Sequence, residues 1–187
     1  MRWQRLFEDL EAQLEVLSRA ERVAEVAEHT RAERGRVGLQ DRFVTSVGEP
    51  LRVRVRGLGW LEVVLRDVGS DWILVDVATG GSGRARELLV PLAAVTGVEG
   101  LASRADQDES AASRRFGLRH ALRGISRDRA VVRVHDIEGD HATGTVDRVL
   151  ADHLDLARHA DDGVRRTGQV RGHRAVPFGA IAAVRRV

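Results

Sequence analysis

The sequence contains no cysteine, no lysine and no tyrosine, and these absences narrow its possible chemistry. Without cysteine there are no disulfides, no thiolate metal ligands and no thiol nucleophile. Because every basic residue other than histidine is arginine, no side chain titrates between histidine and arginine. The isoelectric point of about 10.5 therefore follows from a net charge of only +2 and does not by itself indicate a nucleic-acid binder.

Long apolar runs are also missing, since no stretch reaches the roughly 18 residues that a membrane-spanning helix needs. The N-terminal residues lead into an acidic helical pattern and not into the apolar core of a secretion signal. We therefore expect a soluble cytoplasmic protein with no membrane contact. No nucleophile–base pair, phosphate-binding loop or zinc signature is present, so the sequence predicts a protein that is not an enzyme and holds no cofactor. The histidines match no metal-ligand spacing, and we predict no metal site.

Two stretches of the chain repeat each other behind an N-terminal segment. The matching pairs are Val37-Gly38-Leu39 with Phe116-Gly117-Leu118, Val53-Arg54-Val55 with Val132-Arg133-Val134, Asp71 with Asp152, and Val90-Pro91 with Val176-Pro177. The offset is 79 for the first two pairs, 81 for the third and 86 for the last. Because it grows only across polar or glycine-rich segments, we interpret the chain as one small domain present twice.

The repeat divides the chain into four parts. These are a helical leader (1–35), a first repeat (36–101), an acidic linker (102–113) and a second repeat (114–187). The first repeat is electrically neutral, whereas the second has fifteen arginines and nine acidic residues, a balance of +6. Such asymmetry is informative about partners and not about fold.

Each repeat has the pattern of one short helix followed by five short strands. The helical segments are Leu39–Ser46 and Leu118–Ile125, and alternating apolar and polar residues follow each of them. Pro91 and Pro177 each predict a turn before the fifth strand, because proline lacks the N–H that a strand ladder needs. The sequence thus predicts a mainly β fold of two tandem five-stranded barrels, closed or nearly closed, each preceded by a helix.

This arrangement resembles the Sm-like and, more loosely, the SH3-like small barrels. Gly144-Thr145-Val146 followed by Asp152–Leu156 is similar to the first Sm motif, and Ile181–Val184 is similar to the end of the second. Sm proteins carry an Arg-Gly pair before that ending, which grips an RNA base. Here Pro91-Leu92 and Pro177-Phe178 occupy the matching places, so the resemblance implies the barrels but not uridine binding.

The leader resembles an uncharacterised actinobacterial family whose members are sometimes labelled Fis-family transcriptional regulators. A helix-turn-helix drawn through Leu39–Ser46 would present few base-reading side chains. The duplication of this segment at Leu118–Ile125 favours a helix that opens each barrel.

The second repeat holds the candidate nucleic-acid-binding residues. They are Arg115, Arg119, Arg123, Arg127, Arg165, Arg166, Arg171 and Arg174. The first three lie at positions i, i+4 and i+8, opposite the apolar Leu118/Leu122 face. Such a series fits non-specific contacts with RNA or DNA phosphates, and the alternative is an ordinary solvated face. With four Phe, three Trp and no Tyr, the sequence offers no obvious platform for base stacking.

The leader carries a second candidate surface, for protein interaction. Trp3, Phe7, Leu10, Leu14 and Leu17 line one face of a predicted helix. This helix either docks on the rest of the chain or forms a short dimerising coiled coil. The sequence thus predicts a non-enzymatic intracellular protein that binds nucleic acid. The alternative is a scaffold that contacts itself or another protein through the leader and the barrel edges, since the resemblance to Sm-like proteins implies edge-to-edge assembly.

Asp71 and Asp152 occupy the same place in the two repeats, at the turn between the second and third predicted strands. Aspartate side chains commonly bond backbone amides in such turns. We therefore predict a structural role for both residues.

Overall fold

The computed structural model describes residues 35, 37–77, 86–102, 116–158 and 172–187. The chain forms two compact units, Met1–Gly38 and Leu39–Val187. The first unit, with the predicted leader helix, lies almost entirely outside the described residues. The second unit is mainly β, and its described residues include the two α-helices α1 (Leu39–Thr45) and α2 (Leu118–Arg127). No helix within the described ranges is long and apolar enough to cross a membrane.

Ten strands follow the two helices in two sets of five. The first set is β1 (Pro50–Val55), β2 (Gly59–Val68), β3 (Trp72–Val77), β4 (Arg86–Pro91) and β5 (Val95–Glu99). The second set is β6 (Val131–Asp136), β7 (His141–Val149), β8 (His153–Arg158), β9 (His173–Pro177) and β10 (Ile181–Arg186). A 3-10 turn precedes the last strand of each set, at Leu92–Ala94 and Phe178–Ala180. The mainly β fold and the turns predicted at the two prolines are therefore confirmed.

All ten strands belong to one antiparallel sheet in the order β5-β1-β2-β3-β4-β10-β6-β7-β8-β9. We call residues 39–102 the first half and residues 116–187 the second half. Each half has its fifth strand beside its first. The sheet is open, whereas the sequence predicted closed or nearly closed five-stranded units. Closure is replaced by a junction, because β4 pairs with β10 of the second half at Leu89 and Val184 and not with β5 of its own half.

Two hydrophobic cores lie along this sheet, and each takes residues from both halves. Phe43 anchors the first core and Leu122 the second, both completely buried. Ala182 and Ala183 of β10 belong to the first core. Trp72 and Leu89 of the first half belong to the second core, where they join Leu118 and Leu122 of α2. Because a domain of this size buries little apolar surface alone, each half gains stability from the other.

The register of the strands corrects the alignment of the two repeats. Val53 pairs with Leu61 in the first half, and Val134 pairs with Ala142 in the second. Since Val68 and Val149 also begin equivalent β2–β3 and β7–β8 hairpins, the offset from β1 to β3 is 81. Val53 thus corresponds to Val134, and its predicted match with Val132 is wrong by two residues. Helix α2 has ten residues where α1 has seven, and three residues separate it from β6 where four separate α1 from β1, so the net shift is two residues.

Candidate nucleic-acid interface

Helix α2 carries three exposed arginines on one side and its apolar contacts on the other. Arg119, Arg123 and Arg127 are exposed, whereas Leu118 and Leu122 are buried in the second core. At 100° per residue the three arginines fall within about 80° of arc and extend along about 12 Å of helix. None of them forms an ion pair with a residue that the structure describes. We call these three residues the arginine ridge. Arg119 and Arg123 are exposed while Leu118 and Leu122 are buried, as predicted, and Arg115 of the predicted series lies outside the described residues.

The start of α2 is held by the first half. The backbone N–H of Leu118 donates to Oδ1 of Asp71 at 2.6 Å, and Gly117, at the N-cap, has no side chain to do so. Ser70 N–H and the Trp72 indole both donate to the carbonyl oxygen of Phe116, at 3.2 and 2.9 Å. These bonds fix the ridge relative to the sheet.

The structure corrects the role predicted for Asp71, whose carboxylate caps a helix of the other half. The Asp152 carboxylate does bond a turn amide, its own, and its Oδ1 lies 2.7 Å from the ring of His153. The backbone carbonyl groups of the two aspartates act alike. The carbonyl oxygen of Asp71 accepts the N–H of Leu92, and that of Asp152 accepts the N–H of Phe178, each at 2.8 Å.

Other cations near the end of α2 are neutralised by acidic residues. Arg186 pairs with Asp128, and Arg129 lies 3.4 Å from Asp147. The formal excess of positive charge in the second half is therefore not spread evenly. Of the arginines in α2 and the turn after it, the three of the ridge form no ion pair with a described residue.

An exposed aromatic pair adjoins the ridge. The Phe116 ring stacks on the His120 ring with centroids 4.3 Å apart, and 47% of Phe116 is exposed. The sequence did not indicate this stacked pair, because the repeat aligns Phe116 with the aliphatic residue Val37. The four-residue spacing of Phe116 and His120 beside a helix start is a signal that could have found it.

Of the remaining predicted binding residues, the structure describes Arg174, which does not join the ridge. Arg174 lies on β9 and not on α2, and its guanidinium is 3.9 Å from the Asp136 carboxylate. Arg115, Arg165, Arg166 and Arg171 lie outside the described residues. The predicted protein-interaction residues lie outside them as well, and these are Trp3, Phe7, Leu10, Leu14 and Leu17.

The sheet also has two outer strands, β5 in the first half and β9 in the second. The outer strand β5 is the counterpart of β10, and β9 is the counterpart of β4. The strands β4 and β10 join the two halves. Glu99 ends β5, and the arginine at position 174 lies near the start of β9. The two outer strands thus bear opposite charges.

Within the described ranges, no group of three or more histidine, aspartate or glutamate side chains could hold a metal ion. The sequence matches no protein-family model, and neither a curated protein nor a solved structure matches the chain. The candidate function therefore rests on the surfaces described above.

Proposed function

We propose that this chain is a non-enzymatic intracellular binding protein that contacts RNA or DNA through helix α2 of its second half. The observation that carries the proposal is the arginine ridge, which has no acidic partner among the described residues and adjoins the stacked pair of Phe116 and His120. Cations spaced along a rigid helix suit phosphate groups, and an exposed aromatic face suits an unpaired base. Because the aromatic pair lies at the start of the helix that carries the ridge, the proposal favours single-stranded nucleic acid.

The proposal includes two Sm-like or SH3-like small barrels as the scaffold. Its support is the repeated strand order, with the fifth strand of each half beside the first, and a 3-10 turn before each fifth strand. Two largely separate cores support the same assignment.

Fluorescence anisotropy with labelled single-stranded RNA, single-stranded DNA and duplex DNA tests the function across a salt series. We expect tightest binding to a single strand. The affinity should fall with salt, because each neutralised phosphate contributes about 0.7 to the logarithmic slope for single strands. Arg119→Glu/Arg123→Glu should weaken binding strongly and reduce the slope by about 1 to 2.

A matched control is Arg54→Glu/Arg56→Glu, which changes the net charge equally on exposed positions of the first half. We expect this control to retain most of the affinity. Phe116→Ala should weaken single-strand binding more than duplex binding. Equal losses in the ridge variant and the control would show that only total charge matters, and would overturn the assignment to α2.

A second candidate function is self-assembly through the sheet edges. The junction pairs Leu89 with Val184, and the counterparts of these residues on the free edges are Ala175 and Val98. The same antiparallel register between two copies would place Glu99 of one copy opposite Arg174 of the next. Opposite charges facing each other across strands stabilise such a pair.

The helices support the same candidate. Leu39 of α1 is 45% exposed, whereas its counterpart Leu118 is buried in the second core together with Trp72. Asp152, the counterpart of the capping Asp71, is exposed. A second copy at the free edges would cover Leu39. It would also allow the Leu39 N–H to donate to Asp152 of that copy, as the Leu118 N–H donates to Asp71 within one chain.

Light scattering over a concentration series tests self-assembly. We expect Glu99→Arg and Arg174→Glu each to reduce association, and the double variant to restore it. Leu10→Asp/Leu14→Asp alters the predicted apolar face of the leader and leaves the sheet edges unchanged. Loss of association in this variant would assign self-assembly to the leader and not to the edges. A protein that stays monomeric at every concentration would exclude this function.

A further inference from the structure

A cavity of about 230 Å³ lies beside the outer strand β9 of the second half. Its apolar wall includes buried side chains from three strands, Val134 on β6, Ala142 on β7 and Val176 on β9. Charged side chains line the same cavity, and these are Asp136, Glu138 and Arg174. An apolar space with a few convergent polar groups is the usual form of a small-molecule site.

Two of the charged residues stand at strand positions that face the core. Asp136 follows Val134 by two residues on β6, and Arg174 precedes Val176 by two residues on β9. Because alternate residues of a strand point to the same face, both charged side chains lie on the side of the buried valines. Charged side chains at core-facing positions are uncommon and call for an explanation.

The first half fills the equivalent space with apolar side chains. The strand registers give three pairs of counterparts, Asp136 with Val55, Ala142 with Leu61, and Arg174 with Leu88. Val55 and Leu88 are buried in the first core, and Leu61 packs against it. The second half therefore has one smaller side chain and two charges where the first half has apolar packing.

The two opposite charges are close together but do not form a hydrogen bond. The Arg174 guanidinium lies 3.9 Å from Oδ2 of Asp136, which is longer than a hydrogen bond. Oδ1 of Asp136 accepts the backbone N–H groups of Glu138 and Asp140, at 3.1 and 2.9 Å. These two bonds hold the carboxylate in place, with Oδ2 on the side of Arg174.

Glu138 adds a second acid at the rim of the cavity, where its side chain is exposed. Two acids and one arginine give the cavity a balance of −1. The cavity therefore suits a ligand with a cationic group, while Arg174 offers a place for one carboxylate.

We propose that this cavity binds a free α-amino acid with an aliphatic side chain, such as leucine. The ammonium group of the ligand donates to Oδ2 of Asp136 and its carboxylate accepts from Arg174, so that the four charges alternate in sign. Both charged groups of an α-amino acid are attached to one carbon, and they can therefore reach two protein charges that lie 3.9 Å apart. The aliphatic side chain contacts the apolar wall of Val134, Ala142 and Val176.

The size and charge of the cavity exclude larger classes of ligand. Its volume of about 230 Å³ is below the roughly 300 to 1,000 Å³ of sites for drug-sized molecules. The end of a peptide carries only one of the two charged groups, and a nucleotide would add negative charge to a cavity that already has an excess. The described lining residues include none from α2, so the site does not depend on nucleic-acid binding by the arginine ridge.

Titration calorimetry of the full chain with L-leucine, L-isoleucine and L-valine tests the site. N-acetyl-L-leucine lacks the ammonium group, and L-leucinamide lacks the carboxylate. We expect each of these two probes to bind about tenfold or more weakly than L-leucine, since each loses one charge-assisted contact. Failure of all three free amino acids to bind would overturn the proposal.

Substitutions of the two charged residues assign the binding to the cavity. Asp136→Asn keeps an oxygen that can accept the turn amides but removes the charge, and Arg174→Gln removes the opposite charge. Each should weaken L-leucine binding about tenfold or more. Arg148→Gln is the matched control, because the Arg148 guanidinium also pairs with an aspartate, Asp155 at 2.9 Å, and does not line the cavity. Equal losses in Arg174→Gln and Arg148→Gln would contradict the assignment.

Ala142→Leu gives the second half the side chain that the first half has at Leu61, and so fills the cavity. L-leucine should raise the melting temperature of the unchanged protein, because a ligand that binds only the folded state stabilises it. We expect no such rise in Ala142→Leu. A rise equal to that of the unchanged protein would place the ligand elsewhere and overturn the proposal.

Arg174 also takes part in the proposed self-assembly, where it lies opposite Glu99 of a second copy. The two roles are separable, because Glu99→Arg alters the assembly contact and leaves the cavity unchanged. This variant should retain L-leucine binding in calorimetry, whether or not the protein self-assembles. Loss of L-leucine binding in Glu99→Arg would contradict a site formed within one chain.

Discussion

The Asp71 carboxylate of the first half accepts the backbone N–H of Leu118 at 2.6 Å, and so caps the helix that opens the second half. The helix has no acid of its own in the first turn. An aspartate at this place satisfies one of the amides that every helix start leaves unpaired, and its charge is favourable at the positive end of the helix. One residue therefore links the position of α2 to the β2–β3 turn of the first half.

We expect Asp71→Ala to lower the free energy of unfolding by about 0.5 to 2 kcal/mol, as for loss of an N-cap. Urea denaturation measures the change. Asp152→Ala is the matched control, because that aspartate holds the same place in the second half but contacts only His153 among the described side chains. The control should change stability by less than about 0.5 kcal/mol. Equal effects of the two substitutions would contradict a capping role for Asp71.

Gly57 tests the contact between the hairpin turns of the two halves. It has φ of +75°, and a Cβ there would lie 2.5 Å from the carbonyl oxygen of Asp136. Gly59 has φ of +76° and no neighbouring atom within 4 Å of such a Cβ. Gly59→Ala should therefore cost only the backbone strain of about 1 to 2 kcal/mol. Gly57→Ala should cost distinctly more in thermal unfolding, and equal costs would show that the turns do not meet.

The exchange of residues between the two cores predicts cooperative unfolding. Phe43→Ala and Leu122→Ala each remove a completely buried side chain from a different core. We expect losses of about 3 to 5 and about 2 to 5 kcal/mol, respectively. Because β4 and β10 join the halves, each variant should show one calorimetric transition at a lower temperature. Two transitions, with only one of them displaced, would show that the halves unfold independently.

The His135 side chain predicts a dependence of stability on pH. Its pKa is lowered in the folded state from the ordinary value of 6.5, first by burial and then by His141 and the nearby arginines. The unfolded chain therefore takes up a proton first as the pH falls. Stability should be greatest above 6.5 and decrease as the pH falls through the folded-state pKa.

His135→Gln should reduce this loss of stability at acid pH, as measured by urea denaturation across a pH series. In NMR titration of the unchanged protein, His135 should titrate below the ordinary value. His141→Gln should raise the pKa of His135. A His135 pKa at or above 6.5 would contradict this account.

The local elements were predictable from the sequence because they follow from short-range chemistry. The alternation of Leu51, Val53 and Val55 with arginines sets β1, and the structure buries the apolar members. Pro91 and Pro177 predicted the ends of β4 and β9, because proline has no backbone N–H to donate to a neighbouring strand. The repeat itself was also visible, as was the exposed side of α2, because helical spacing alone separates Arg119 and Arg123 from Leu122.

Only the tertiary structure decided how these elements meet. The pairing of Leu89 with Val184, the cap that Asp71 supplies to Leu118, and the pairing of Arg133 with Arg185 each join residues far apart in the chain. Sequence matching placed Val53 against Val132, since both lie in similar Val-Arg-Val segments, and only hydrogen-bond register showed Val134 to be its counterpart. A shift of this kind leaves local patterns intact but changes which side chains face one another across the sheet. Composition and periodicity thus determined the elements, and long-range strand pairing determined where their charges lie.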